Sequence, residues 1–345
     1  MISVNITRKQ AVFLFFVCLL FYLPYLLTGY VGEWDSYYYL SLFGIPPDLF
    51  YLVKLVTFSL FFVSVLFISL LGGVFFRYGW LAGVFCLASP GFIQLFWRFE
   101  NDVFAFPFIF CSMWLFFSGK KTLSLASLAF GFFFWQGSAL LLIPYSILFW
   151  PLLFVSIPLI GVIYWKFLEN FLPNLGVVEN FPFLAVFLCF FSLFGLAAIP
   201  KKLKVATFFF FVVALANAKW SVFLFPLLGV GLAGVWSTRG QIFRNVAFMA
   251  VVVSFLISLV LVFVFPPTFV QMEAISFAIE ESKGEMIYND WTVGHVVEYY
   301  GGKALARSGG LQPDLNCIDC VVLTVQDSNC DCVNSCELPL SVFRC

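Results

Sequence analysis

Apolar runs of about 15 to 25 residues recur along most of this chain, and that recurrence restricts its fold more than any other feature. They can be cut out near 10–30, 50–76, 80–97, 103–118, 122–135, 138–150, 152–165, 182–199, 205–218, 221–236 and 246–265. Pro144, Pro151 and Pro158 interrupt the pair near 138–165, so one long kinked helix or a re-entrant pair is the alternative there. The 345 residues are 63% hydrophobic and only 10% charged, and 50 of them are phenylalanine. Soluble domains average about half apolar and a quarter charged. A soluble core cannot hide so much apolar surface in a chain of this length. A cleavable leader does not account for it either, because the runs continue far beyond the N-terminus. The expected fold is a polytopic α-helical membrane protein with about eleven transmembrane helices.

The basic residues orient such a bundle. With the N-terminus in the cytoplasm, the cytoplasmic ends carry Arg8, Lys9, Arg77, Lys120, Lys121, Lys201, Lys202, Lys204, Arg239 and Arg244. The opposite ends carry only Lys54, Arg98, Lys166 and Lys219. All acids before the tail, Glu33, Asp35, Asp48, Glu100, Asp102, Glu169 and Glu179, fall on the external side. The expected location is therefore the cell membrane, multi-pass, with polar chemistry on its outer face.

Composition changes after Phe265. Pro266 and Pro267 end the last apolar run, and residues 268–345 hold 11 of the 18 acids and the only histidine, His295. The expected division is a transmembrane domain over 1–266 and an external, cysteine-rich α/β domain over 267–345. Within the tail, "TFVQMEAISFAIEES" reads as an amphipathic helix, with Phe269, Met272, Ile275, Phe277 and Ile279 as its apolar candidates. "EMIYND" and "CVVLTV" read as short strands. Cys317, Cys320, Cys330, Cys332, Cys336 and Cys345 crowd the end. In an external tail they are disulfide candidates, with zinc ligation as the rival reading and free thiols as the third.

Two acid-x-acid pairs stand out. "GEWDSYYYLS" puts Glu33 and Asp35 beside four aromatics, and "WRFENDVFAFP" puts Glu100 and Asp102 at the start of a helical run. In an extended loop, acids at i and i+2 point the same way and can share a hard divalent cation. The ordinary readings are a solvated loop for the first pair and an acidic N-cap for the second. Glu179 in "GVVENFPF" is a third external acid. Arg98 and Lys219 are nearby cations that could hold a phosphate or simply snorkel.

These motifs, in this order, resemble those of the catalytic subunit of archaeal and eukaryotic oligosaccharyltransferases. "EWDSYYYL" is similar to the first-loop acidic motif of that family, "ENDVFAFP" to the second, and "GVVENFPF" to the loop that brings a glutamate to the acceptor. "KGEMIYNDWTVGHVVEYYGGKALARSGG" resembles the start of the family's external domain. The resemblance implies a shortened GT-C glycosyltransferase fold. It implies transfer of a sugar or oligosaccharide from a polyprenyl (dolichyl) phosphate or pyrophosphate to an acceptor such as protein asparagine. Asp35 and Glu179 would be catalytic, and Asp35, Glu100, Asp102 and Glu33 would hold Mn2+ or Mg2+. Arg98 and Lys219 would face the donor phosphates, while Asp290, Trp291, Thr292 and His295 would meet the acceptor. Thr292 stands where the family has an acid. The implied partners are a lipid-linked sugar donor, a protein or glycan acceptor and membrane lipids, with no nucleic acid. A non-catalytic GT-C-like subunit and a membrane transporter are the competing expectations.

Overall fold

The computed structural model describes residues 6–32, 35–87, 89–152, 201–216, 222–238, 240–264, 269–289, 291–305, 321–324, 333–336 and 341–344. Thirteen helices are formed among them: α1 Arg8–Leu26, α2 Ser36–Leu42, α3 Phe50–Phe75, α4 Ala82–Cys86, α5 Pro90–Gln94, α6 Asn101–Phe117, α7 Lys121–Phe134, α8 Leu142–Leu148, α9 Lys201–Ala216, α10 Leu224–Thr238, α11 Gln241–Val264, α12 Phe269–Ser282 and α13 Trp291–Tyr299. Five short strands follow or separate the last two helices: β1 Met286–Asn289, β2 Lys303–Ala304, β3 Val321–Thr324, β4 Val333–Cys336 and β5 Ser341–Arg344. The chain divides into two compact units. The first takes Met1–Leu23, Phe58–Phe96 and Asn101–Leu259, and the second takes Pro24–Thr57, Trp97–Glu100 and Val260–Cys345.

The expectation of about eleven spans is corrected here. Two helical stretches among the described residues are long and apolar enough to cross a membrane, Arg8–Leu26 and Pro47–Phe75. Asn101–Phe117, Lys121–Phe134, Gln136–Leu148 and Leu224–Thr238 are shorter apolar helices, and α11 runs for 24 residues, with Arg244–Val253 as its apolar stretch among the described residues. At 1.5 Å per residue the 14 residues of α7 reach only about 21 Å, against a bilayer core of about 30 Å. The run near 80–97 is divided into a 3-10 turn at Gly79–Leu81, then α4, then α5, which starts at Pro90. The run near 138–150 is part 3-10 helix, Gln136–Leu141, and part α8. The runs near 152–165 and 182–199 lie almost wholly outside the described residues. The polytopic GT-C fold and the multi-pass cell-membrane location that depended on eleven spans are withdrawn with them.

In the first unit, apolar helices bury one another. α6 is buried at Val103, Ala105, Phe106, Ile109, Phe110, Met113, Leu115 and Phe116. It forms a hairpin with α7, and the turn passes through Gly119 at φ +86°, a backbone angle that glycine adopts without a Cβ penalty. Ser124 Oγ donates to the Ser112 carbonyl at 2.9 Å, and Ser127 Oγ donates to the Phe108 carbonyl at 2.8 Å. These two hydroxyls are satisfied on the facing helix, which limits their desolvation cost. α10 is buried along Leu224–Val235 and lies against α4, with Cys86 Sγ donating to the Phe225 carbonyl at 3.1 Å.

The second unit is built on a mixed sheet of order β2-β1-β3-β5-β4. β1 is parallel to both β2 and β3, while β5 is antiparallel to β3 and to β4. β1, α13 and β2 make a β-α-β crossover, the connection that parallel neighbours require. α12 buries Ala274, Ile275 and Ala278. Asn289, 1% exposed at the end of β1, accepts from the Leu305 amide at 3.0 Å and ties the crossover together.

Candidate functional site

The described members of the two acidic motifs differ in exposure: Asp35 is exposed, while Glu100 and Asp102 are buried. Asp35 directly precedes α2 and is exposed, with no side-chain capping bond. In the same unit, Gly32 and Arg98 form a parallel bridge, and the Gly32 amide donates to the Trp97 carbonyl at 3.1 Å. Ser36 Oγ donates to the Gly32 carbonyl at 2.6 Å and accepts from the Phe99 amide at 2.8 Å. Residues some 60 apart in sequence are thereby clamped side by side. The buried Arg98 guanidinium is 3.5 Å from the Glu100 carboxylate, and both side chains are under 10% exposed. Asp102 is 4% exposed in the first turn of α6, in the first unit.

Glu33, Glu179, Lys219 and Asp290 lie outside the described residues, as do Cys317, Cys320, Cys330, Cys332 and Cys345. Cys336 ends β4. Trp291 and Thr292 open α13, and His295 sits one turn further on with its ring 5.1 Å from that of Tyr38. Tyr37 packs edge-on to Tyr299 at 5.3 Å and lies 6.1 Å from Tyr300. Tyr299 donates to the Ile45 carbonyl at 2.6 Å. The aromatic run after Asp35 and the aromatic end of α13 therefore form one cluster inside the second unit.

That cluster sits beside a cleft of about 520 Å³. One wall is α12, which supplies Met272, Glu273, Ser276, Phe277 and Glu280. The other is Gly29, Tyr30 and Tyr300. All eight residues belong to the second unit. Burial pushes the phenols of Tyr30 and Tyr300 above their ordinary range, so both stay neutral hydroxyls near pH 7. The helix itself was readable from the sequence as amphipathic. Its polar face was not singled out, because exposed glutamates on such a helix normally just meet water. Glu273, Ser276 and Glu280 at i, i+3 and i+7 were the available signal.

Among the described residues, no group of three or more His, Cys, Asp or Glu side chains is placed to hold a metal ion. Neither a protein-family model nor a curated protein matches this chain. The likeness to the oligosaccharyltransferase catalytic subunit therefore rests on short degenerate motifs and is withdrawn. The glycosyltransferase activity goes with it, as do the lipid-linked sugar donor, the glycan or protein acceptor and the membrane-lipid partners.

Proposed function

We propose that this chain is a ligand-binding protein and that the cleft along α12 is its binding site. The observation that carries the reading is the cleft itself. It is concave, its volume lies within the range of small-molecule sites, and it mixes aromatic walls with a few polar groups. The two tyrosine rings, Phe277 and Met272 offer apolar contact, while Ser276 and the carboxylates offer orientation. The polar groups among the described lining residues are one serine, two glutamates and two tyrosines.

A thermal-shift survey of the full chain tests this, using small organic cations, neutral polyols, nucleotides and carboxylic acids as separate classes. The same survey is run on Ser276→Trp, which fills the cleft from an exposed helix position. The expected result is stabilisation by one class, lost in Ser276→Trp while its melting temperature without ligand is unchanged. Stabilisation by no class, or stabilisation that survives in the filled variant, would remove the cleft as the site.

A further inference from the structure

We propose that the cleft selects an elongated organic dication, a diamine or polyamine with its charges near the two ends. This rests on the cleft being the binding site and adds the ligand class. Glu273 and Glu280 are seven residues apart on α12. At 1.5 Å and 100° per residue, that places them about 10 Å apart along the axis and within about 20° of one direction. Both are exposed and both line the cleft. Among the described residues, neither carboxylate has an ion-pair partner, and the lining contains no basic side chain.

Fixed negative charge, with no cation among the described lining residues, disfavours phosphates and carboxylates. The walls between the two charges then choose among cations. Tyr30, Phe277 and Tyr300 line the same cleft. Rings of this kind attract ammonium groups and cover methylene chains. A small inorganic cation gains nothing from ring walls and can reach only one carboxylate at a time. An alkyl diammonium spanning about 10 Å satisfies both ends, packs its methylenes on the rings, and leaves Ser276 within reach of an inner amine.

Isothermal titration of the full chain with 1,8-diaminooctane, spermidine, 1,3-diaminopropane, octylamine and MgCl2 tests the inference. The long diamine and spermidine are expected to bind about fivefold or more tighter than 1,3-diaminopropane and octylamine. Glu273→Gln and Glu280→Gln should each bring 1,8-diaminooctane down to the octylamine level, with unchanged melting temperatures. Equal affinity for mono- and diamine, no effect of either Gln variant, or full competition by Mg2+ would overturn it. If another chemical class binds and Ser276→Trp abolishes that binding, the dication inference fails while the cleft stands. If nothing binds that Ser276→Trp removes, the cleft itself fails.

Discussion

Lys54 is 1% exposed, and its ammonium donates to the Tyr25 carbonyl at 3.1 Å, to Thr28 Oγ1 at 2.8 Å and to the Thr28 carbonyl. Tyr25 and Thr28 lie where α1 ends, so the cation meets the carbonyl end of a helix, the end that favours positive charge. The Tyr25 ring, 4.8 Å away, adds a π face. Lys54→Met keeps the length and removes the donors. It should lower stability by about 2 kcal/mol, read as a drop in melting temperature, because buried acceptors lose their partner. The sequence marked Lys54 only as one of four external cations; the carbonyl cage is tertiary and left no local trace. Tyr299 gives a pH prediction. Burial first, then neighbouring Tyr300 and the Asp48 charge, push its phenol from 10.0 up to about 12. A raised folded-state value means that its contribution to stability is full below about pH 10, the ordinary tyrosine value, and is lost as pH rises toward 12. Ultraviolet titration should show a late phenol that Tyr299→Phe removes. The variant also loses the bond to the Ile45 carbonyl, at a cost of about 1 kcal/mol.

At the scale of elements, α1 begins with a reciprocal cap. The Gln10 amide donates to Thr7 Oγ1 at 3.3 Å, and the Thr7 amide donates to Gln10 Oε1 at 2.9 Å. Thr-x-x-Gln is the spacing of a capping box. Thr7→Ala should cost about 1 kcal/mol in thermal unfolding. α10 and α4 approach so closely that a Cβ at Gly229 would meet the Ala82 carbonyl oxygen at 2.4 Å. Gly229→Ala should therefore cost about 2 kcal/mol or more, since backbone must move to admit it. The short strands at Met286–Asn289 and Val321–Thr324 and the helix at Phe269–Ser282 fall where the sequence pattern put them, since each carries its own local period. Span number did not follow from pattern in the same way. A helix apolar on every side, such as α6 or α10, is equally consistent with lipid around it and with protein around it. The 3-10 turns at Gly79 and Gln136, which apolar content does not register, divide the runs there into shorter helices.

At the scale of the molecule, the second unit is assembled from three separated stretches of chain, Pro24–Thr57, Trp97–Glu100 and Val260–Cys345. Tyr37 and Tyr299 meet across 262 positions of sequence, which no window of residues reveals. The sequence did pick out the aromatics of "GEWDSYYYLS", so half of the aromatic cluster was legible as composition while its pairing was not. The cleft was less legible still. Its walls come from a turn after α1, from Tyr300 just past the end of α13 and from a helix that reads as ordinary solvated surface, and only their meeting makes a concavity. Methionine offers a direct probe of it, because the chain has five and, among the described residues, Met272 alone of them lines the cleft. The decisive measurement is a titration of 13C-methyl-methionine-labelled protein with 1,8-diaminooctane, followed by NMR. The account predicts a saturable shift of the Met272 methyl, with buried Met113 in α6 unmoved and the Met272 shift absent in Ser276→Trp. A Met272 methyl that does not respond, or a response spread evenly over all five methyls, would contradict it.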